Sequence, residues 1–445
     1  RIMKTMNQKQ ALDILKMGNN VFLTGPAGSG KTYVLNQYIS YLKEHNVAIG
    51  ITASTGIAAT HINGMTIHSW SGIGIKDVIH EKDLKALLEK VHLRMRFIYA
   101  KVLIIDEISM LHGYRLDMVD KVCRAFTFKD EPFGGLQVIM CGDFFQLPPI
   151  TRPGEKGGFA YEAEVWNNMN LKVCYLDEQY RQADGSFLSV LNDIRNSRVT
   201  EDTIDLLTSR LNKDIDNTTV PTKLFTHNVD VDTINATELT HIDTHSYVFR
   251  MSGTGKKELI DVMKKACLAP EELVLKKGAI VMFVKNNYDK GYVNGTLGEV
   301  IDFGLENYPI VRALDGREIQ AKPEAWAVED EGVIKAEVKQ VPLRLAWAIT
   351  IHKSQGMSLD AAVIDLSKSF VPGMGYVALS RVRTLEGMKL TGINNMALMV
   401  NPDVSEMDKE FHSLSDDAQG ELYKLVDSEK EDRQLKYIRS IRGKK

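Results

Sequence analysis

The stretch GPAGSGKT, Gly25 to Thr32, constrains this chain more than any other. It follows the short apolar run Val21-Phe22-Leu23. It opens a stretch in which Val34, Leu35, Tyr38, Ile39 and Leu42 recur at helical spacing. Strand, glycine-rich loop and helix form the context in which G-x-x-x-x-G-K-[ST] cradles the phosphates of a nucleoside triphosphate. Gly25, Gly28 and Gly30 allow backbone angles closed to other residues, so loop N–H groups can turn inward on the phosphates. The positive end of the helix dipole adds to that field. Lys31 can reach the outer phosphates, and the Thr32 hydroxyl can hold Mg²⁺. Pro26, Ala27, Ser29 and Tyr33 complete the candidate nucleotide-contacting run. Such a loop says that a triphosphate is bound and cleaved, but not what the cleavage drives.

The first half of the chain alternates apolar strands with helical stretches. Ala48 to Ile51, Val102 to Ile105 and Gln137 to Met140 are β-rich runs ending in TASTG, DEISM and CGDFFQ. This is the pattern of a parallel α/β sheet with function at the carboxyl ends of its strands. Ile75 to Phe97 is helical and charged and reads as an insertion between two strands of that sheet. A second α/β pattern starts after Leu176. It is interrupted from Gly278 to Val341 by short strands with turn signals, among them Asn294-Gly295. After Pro402 the sequence is highly charged and reads as a solvated helix or tail.

Composition sets limits. A chain of 445 residues suggests about three domain-sized units. No apolar run approaches the ~20 residues of a membrane helix, and no signal peptide is visible. The four cysteines are far apart, with no metal pair and no disulfide framework, which points to a reducing, intracellular setting. A net charge of −3 means that any nucleic-acid site is a local groove.

Several residues carry chemistry by type and place. Asp106 and Glu107 end a buried strand: the first suits Mg²⁺, the second suits orienting or deprotonating water. Gln146 ends another strand and can sense the γ-phosphate. Arg181 and Arg381 suit charge developing on phosphate oxygens, and spacing does not decide between that role and a surface position. The loop STGIAATHINGMTIHSWSGIG carries His68, and an apolar strand runs into His352 and Lys353. Loops of this kind can bind a nucleic-acid backbone without reading bases, or can be ordinary glycine-rich turns.

In order from Asn7 to Leu390, GPAGSGKT, TASTGIAA, GMTIHSWSGIG, IIDEISM, PFGGLQVIMCGDFFQLPP, LDEQYRQ, TIHKSQGMSLD and YVALSRVRT resemble superfamily 1 helicases. They are most similar to the PIF-type (petite integration frequency) DNA helicases, in a minimal, prokaryote-like form. The resemblance implies two RecA-like P-loop NTPase domains, the first from residues 1–74 and 98–178 and the second from 179–277 and 342–400. It makes 75–97 a strand-separating insertion, 278–341 an SH3-like β insertion and 401–445 a charged C-terminal helix or tail. It implies that Gln10 reads adenine. Lys31, Thr32, Asp106 and Glu107 would serve ATP, Mg²⁺ and water, with Gln146, Arg181 and Arg381 on the γ-phosphate. Thr55, His68, His227, Asn294, His352 and Lys353 fall where such proteins touch single-stranded DNA. The family usually has proline where this chain has Ala53, so one contact there differs.

The activity implied is 5′-to-3′ unwinding driven by ATP, on tailed or forked duplexes, with G-quadruplexes and RNA–DNA hybrids among the substrates of relatives and no residue here selecting among them, in replication, repair, recombination or telomere maintenance. A monomer is expected, with no membrane partner. The expected place is the cytoplasm and nucleoid in a prokaryote, or the nucleus or mitochondrion in a eukaryote. Two rivals share the phosphate loop: a translocase that hardly unwinds, and a non-motor P-loop enzyme. The late arginines and the lack of an N-K-x-D guanine signature argue against the second.

Overall fold

The computed structural model describes residues 5–74, 76–151, 157–178, 184–215, 221–226, 231–287, 289–304, 306–330 and 333–442. Arg181 and His227, both named above, lie outside the described residues.

Around the phosphate loop the chain folds as its pattern dictates. α1 (Gln8–Lys16) leads into β1 (Val21–Thr24), and α2 (Lys31–Glu44) follows the loop, burying Val34, Leu35, Tyr38, Ile39 and Leu42. β2 (Ile49–Ala53), α3 (Gly56–His61), β3 (Met65–Thr66), α4 (Ile67–Ser71), α5 (Glu81–Leu88) and α6 (Val91–Tyr99) come next. β4 (Val102–Asp106), α7 (Gly113–Thr127), β5 (Gln137–Cys141), α8 (Glu164–Asn168) and β6 (Lys172–Tyr175) complete the first core. Its sheet runs β3-β2-β4-β5-β1-β6, all parallel. Every residue of β1, β2, β4 and β5 is buried. Covered on both faces, these strands read as unbroken apolar runs. The loops after β1, β2, β4 and β5 therefore emerge together along one edge of the sheet.

The PFGG segment lies at the other edge, just ahead of β5. Phe133 and Gly134 take left-handed angles, φ 50° and 62°, and Phe133 is fully buried. A Cβ on Gly134 would meet the Thr127 hydroxyl at 2.0 Å. The segment is a buckled turn that locks onto α7, remote from the phosphate loop.

The second core opens with α9 (Gly185–Arg195), α10 (Glu201–Thr208), β7 (Thr222–Phe225) and α11 (Val231–Thr240). A β-rich insertion follows: β8 (Ser246–Arg250), β9 (Ser252–Gly255), α12 (Lys257–Ala266), β10 (Glu272–Lys276), β11 (Ile280–Phe283), β12 (Leu297–Phe303), β13 (Pro309–Ala313), β14 (Glu318–Gln320), β15 (Glu324–Asp330), β16 (Val333–Gln340) and β17 (Leu343–Leu345). Its central sheet is the antiparallel β14-β13-β12-β11-β17, beside the smaller β15-β16-β9 and β10-β8 sheets. The chain then returns through β18 (Ala348–Thr350), β19 (Ala362–Leu366), α13 (Met374–Leu379) and β20 (Met388–Ile393), giving the parallel sheet β18-β7-β19-β20. The β insertion begins earlier than the expected Gly278, because β8 pairs with β10 and β9 with β16. β8 has no fully buried residue and β9 reads SGTG, so neither carries a strong apolar signal.

The expected solvated helix or tail is two helices, α14 (Pro402–Tyr423) and α15 (Asp427–Ile441), and both pack against the first core. α14 returns to the first core. Its Phe411 is 2% exposed and sits edge-on to Phe22 at 5.0 Å, with Phe144 at 5.9 Å. α15 drops Tyr437 onto Gly18, where a Cβ would lie 2.4 Å from the ring. The charged face is solvated, but a thin stripe of Val404, Phe411, Ala418, Leu422 and Ile438 is buried.

Candidate active site between the two cores

The phosphate loop is shaped by glycines at the positions where its backbone demands them. Gly25, Gly28 and Gly30 have φ of 140°, 84° and 86°. At Gly25 a Cβ would come 2.2 Å from the Leu176 carbonyl oxygen. The Lys31 ammonium donates to the carbonyl oxygens of Gly25 and Pro26, at 2.7 and 3.0 Å. Burial is the main influence on Lys31 and lowers its pKa, with Asp143 opposing. Thr32 and Tyr33 are exposed in the first turn of α2.

β4 delivers the two acids. Asp106 is buried, and its Oδ1 accepts the Glu107 N–H at 2.9 Å. Glu107 itself takes the left-handed region, φ 51° and ψ 47°, uncommon for a residue with a Cβ. That turn sends its carboxylate away from the strand direction and into the cleft. Burial, then the Asp106 charge, push its pKa up to about 7 against the pull of Lys31 and Arg381. Burial also raises Asp106.

Across the cleft stands Arg381, 1% exposed, with Nε on the Val377 carbonyl at 2.9 Å. Burial lowers its pKa, with Glu107 opposing. A cavity of about 550 Å³ separates the cores, lined by Lys31, Thr32, Glu107 and Gln146 on one side and Ser358 and Arg381 on the other. The size suits a small polar ligand. Gln355 of the second core donates to Glu107 Oε2 at 3.3 Å, so the two sides already touch at this carboxylate.

Behind the cavity a buried polar cluster joins the cores. Arg195 at the end of α9 donates through one nitrogen to both Asp143 oxygens, at 2.7 and 2.8 Å, and through the other to Tyr175 at 2.7 Å. Asp143 also accepts from the Gln146 side chain at 3.3 Å. The Tyr376 hydroxyl, from α13, accepts the Ala27 N–H of the phosphate loop at 3.2 Å. Sequence reasoning missed Asp143, Arg195, Tyr376 and Gln355. Asp143 and Gln355 lie inside segments that were already distinctive, CGDFFQ and HKSQG. Arg195 sits in an ordinary amphipathic helix and gives no such signal.

The DNA-directed positions partly converge. Thr55 caps α3, its hydroxyl accepting from Ala58 N–H at 3.2 Å. At the far end of α3, His61 Nε2 is 3.4 Å from Asn294 Nδ2. A Cβ on Gly356 would be 3.5 Å from that ring. His352 and Lys353 lie in the same turn after β18, half-buried. So α3, Asn294 and the 352–356 turn meet where both cores and the β insertion adjoin. His68 sits on α4, its pKa lowered to about 4 by burial and by Arg115. Gln10 lies in the first turn of α1, whose neighbour Gln8 donates to the Ser29 carbonyl of the phosphate loop at 3.4 Å.

Two parallel-sheet cores closing on a phosphate loop, with paired acids on one and a buried arginine on the other, define a two-core P-loop NTPase of the helicase class. The family pattern described as PIF1-like helicase matches residues 3–204, and that of the DNA helicase Pif1 2B domain matches residues 258–303. The chain is 45% identical to the ATP-dependent DNA helicase Pif1 of Psychrobacter, over 93% of this chain and 72% of that protein. It is 36% identical to human ATP-dependent DNA helicase PIF1, over 89% of this chain and 62% of the longer relative. The solved structure of unliganded Pif1 from Bacteroides superposes with a TM-score of 0.79 at 34% identity, covering 93% of this chain and 98% of that one. The Bacteroides complex with ADP-AlF3 and single-stranded DNA scores 0.61 at 33% identity, with the same 93% and 98% covered. The chain belongs to the PIF1-like helicase family. At the same coverage the Bacteroides complex with ADP-AlF4 scores 0.77, so this chain superposes better on the unliganded and nucleotide-bound relatives than on the one titled with single-stranded DNA.

Proposed function

We propose that this chain is an ATP-driven DNA helicase that moves 5′ to 3′ along single-stranded DNA and parts the duplex ahead of it. The observation that carries the reading is the cleft, in which Lys31, Glu107 and Gln146 face Arg381 across one cavity. In this reading the loop N–H groups and Lys31 hold the β- and γ-phosphates, and Arg381 stabilises charge on the transferring group. Glu107 accepts a proton from the attacking water, and Gln146 orients that water or the γ-phosphate. Arg181 belongs to the reading through its motif alone.

Thr32 lines the cavity and supplies a hydroxyl, and the buried Asp106, next to the lining Glu107, supplies a carboxylate. This all-oxygen set, completed by phosphate oxygens, suits Mg²⁺. Bound there, the ion would neutralise phosphate charge. Asp106 is positioned for it because its Oδ1 is tied to the Glu107 N–H.

Triphosphate binding drives motion only if it favours the closed cleft over the open one. Contacts that cross the cleft, Gln355 to Glu107 and Tyr376 to Ala27, are where that preference resides. Thr55, Asn294, His352 and Lys353 grip the strand backbone, so binding is indifferent to base sequence and sensitive to salt. One chain supplies both walls of the cleft, which supports a monomeric motor. Among the described residues no helix is long and apolar enough to cross a membrane.

Matched duplexes carrying either a 5′ or a 3′ single-stranded tail test the reading. Unwinding is expected from the 5′ tail, with ATP hydrolysis strongly stimulated by single-stranded DNA. Equal unwinding from both tails removes the polarity, and unstimulated hydrolysis removes the motor.

A further inference from the structure

Gln10 is held by the far end of the chain. Its carboxamide belongs first to the capping box of α1: Oε1 accepts the Asn7 N–H at 2.9 Å while Asn7 Oδ1 accepts the Gln10 N–H at 3.0 Å. This fixes which end of the amide is oxygen. α14 then adds two contacts. Gln419 Nε2 donates to the same Oε1 at 3.0 Å, and Gln10 Nε2 donates to the Tyr423 hydroxyl at 2.9 Å. A carboxamide has two acceptor lone pairs and two N–H groups. Both lone pairs and one N–H are therefore occupied, and a single N–H remains.

That remainder matters for base selection. Adenine offers N7 as acceptor and a 6-amino donor, and guanine offers N7 and O6 as acceptors. One free N–H can meet N7 of either purine. Meeting the 6-amino group needs a lone pair of Gln10 Oε1, and Gln419 covers it. Gln419 is 1% exposed, and its own Oε1 has no hydrogen-bond partner. An orphaned buried acceptor is costly, so this side chain is held in place chiefly by what it gives to Gln10.

We propose that Gln419, steadied by Tyr423, sets the base selectivity of the nucleotide site by occupying the acceptor with which Gln10 would read adenine. The C-terminal helix thus acts as a specificity-determining element, and Gln419 and Tyr423 are positioning residues. This rests on the reading that Gln10 faces the base.

The test measures binding, by calorimetry, of non-hydrolysable ATP and GTP analogues with Mg²⁺ to wild type, Gln10→Ala, Gln419→Met and Tyr423→Phe, each checked by thermal melting. Gln419→Met frees the acceptor and should raise the preference for the adenine nucleotide by about fivefold or more, the scale of one hydrogen bond. Tyr423→Phe, at a site 58% exposed and so tolerant of the change, loosens the amide and should shift the preference the same way by about twofold. If Gln419→Met does not fold, Gln419→Leu takes its place. Gln10→Ala should remove whatever preference exists. If Gln10→Ala alters the ratio while the Gln419 and Tyr423 variants keep the wild-type value, the proposal is overturned and the base-reading role stands. If Gln10→Ala also leaves the ratio unchanged, Gln10 does not face the base and the proposal falls with it.

Discussion

Arg195 and Asp143 form a buried ion pair that joins the two cores, one guanidinium nitrogen bridging both carboxylate oxygens at 2.7 and 2.8 Å. Their side chains are 5% and 0% exposed. The guanidinium also lies 4.2 Å from the Phe145 ring centroid. Two charges taken out of water stabilise a fold little by themselves, but either one alone is expensive. Arg195→Met should therefore destabilise the protein by about 3–5 kcal/mol, read as the first transition in urea. Adding Asp143→Leu should recover much of that loss, because the lone carboxylate is then gone. A single-variant loss under about 1 kcal/mol would mean that water reaches Asp143.

The cleft residues separate by what they lose. Lys31→Ala removes the lysine cation of the phosphate loop and should abolish hydrolysis in a folded protein. Arg381→Ala should retain nucleotide binding and lose hydrolysis by about 10³-fold or more, the range of arginine fingers. Glu107→Gln should bind and stall. Single-turnover rates set beside nucleotide titrations check all three. A Glu107→Gln protein that loses affinity would place that residue in binding and not in handling water.

The first core was legible because its strands are buried on both faces and so appear as unbroken apolar runs. The phosphate loop, Asp106-Glu107 and Gln146 each follow one of those runs. The start of the β insertion is not legible because β8 and β9 carry little buried apolar surface. The docking of α14 is not legible because charge dominates its composition, while its packing uses a few residues such as Phe411. Asp143 with Arg195, and Gln10 with Gln419, are pairs brought together by the fold across long stretches of chain. Local pattern contains no trace of such pairings.

The docking of α14 should depend on pH through His412. Its ring stacks on Tyr175 with centroids 3.7 Å apart, and its Nε2 lies 3.5 Å from Asp408 Oδ2. The hydrogen bond to Asp408 raises its pKa, aided by the charges of Asp408 and Asp177 and opposed by burial and Arg195. A histidine with a raised folded pKa stabilises fully below its unfolded value of about 6.5 and loses that contribution as pH climbs through the folded value. The gap in melting temperature between wild type and His412→Gln should be widest in mild acid and should close by pH ~8.5. A gap that does not change with pH would mean that stacking, and not charge, holds the ring.

The insertion of α5 and α6 has a packed inner face and an exposed outer one. Inward, Phe97 is 2% exposed, edge-on to Trp70 at 4.8 Å and stacked on Phe126 at 4.5 Å. Outward, Val91 and Met95 are 68% and 40% exposed, apolar side chains on the solvent side of a charged helix. Apolar side chains of this kind can act as wedges that unstack a base step. Replacing Val91 and Met95 by serine should therefore lower duplex unwinding several-fold while melting and DNA-stimulated hydrolysis hold. Phe97→Ala is the contrast. It opens a cavity among aromatic rings, should cost about 3–5 kcal/mol and should lower both activities together. Unwinding and hydrolysis assayed side by side on one tailed duplex distinguish the two faces. If the serine variant loses both activities in proportion, the insertion supports the motor and does not part the strands.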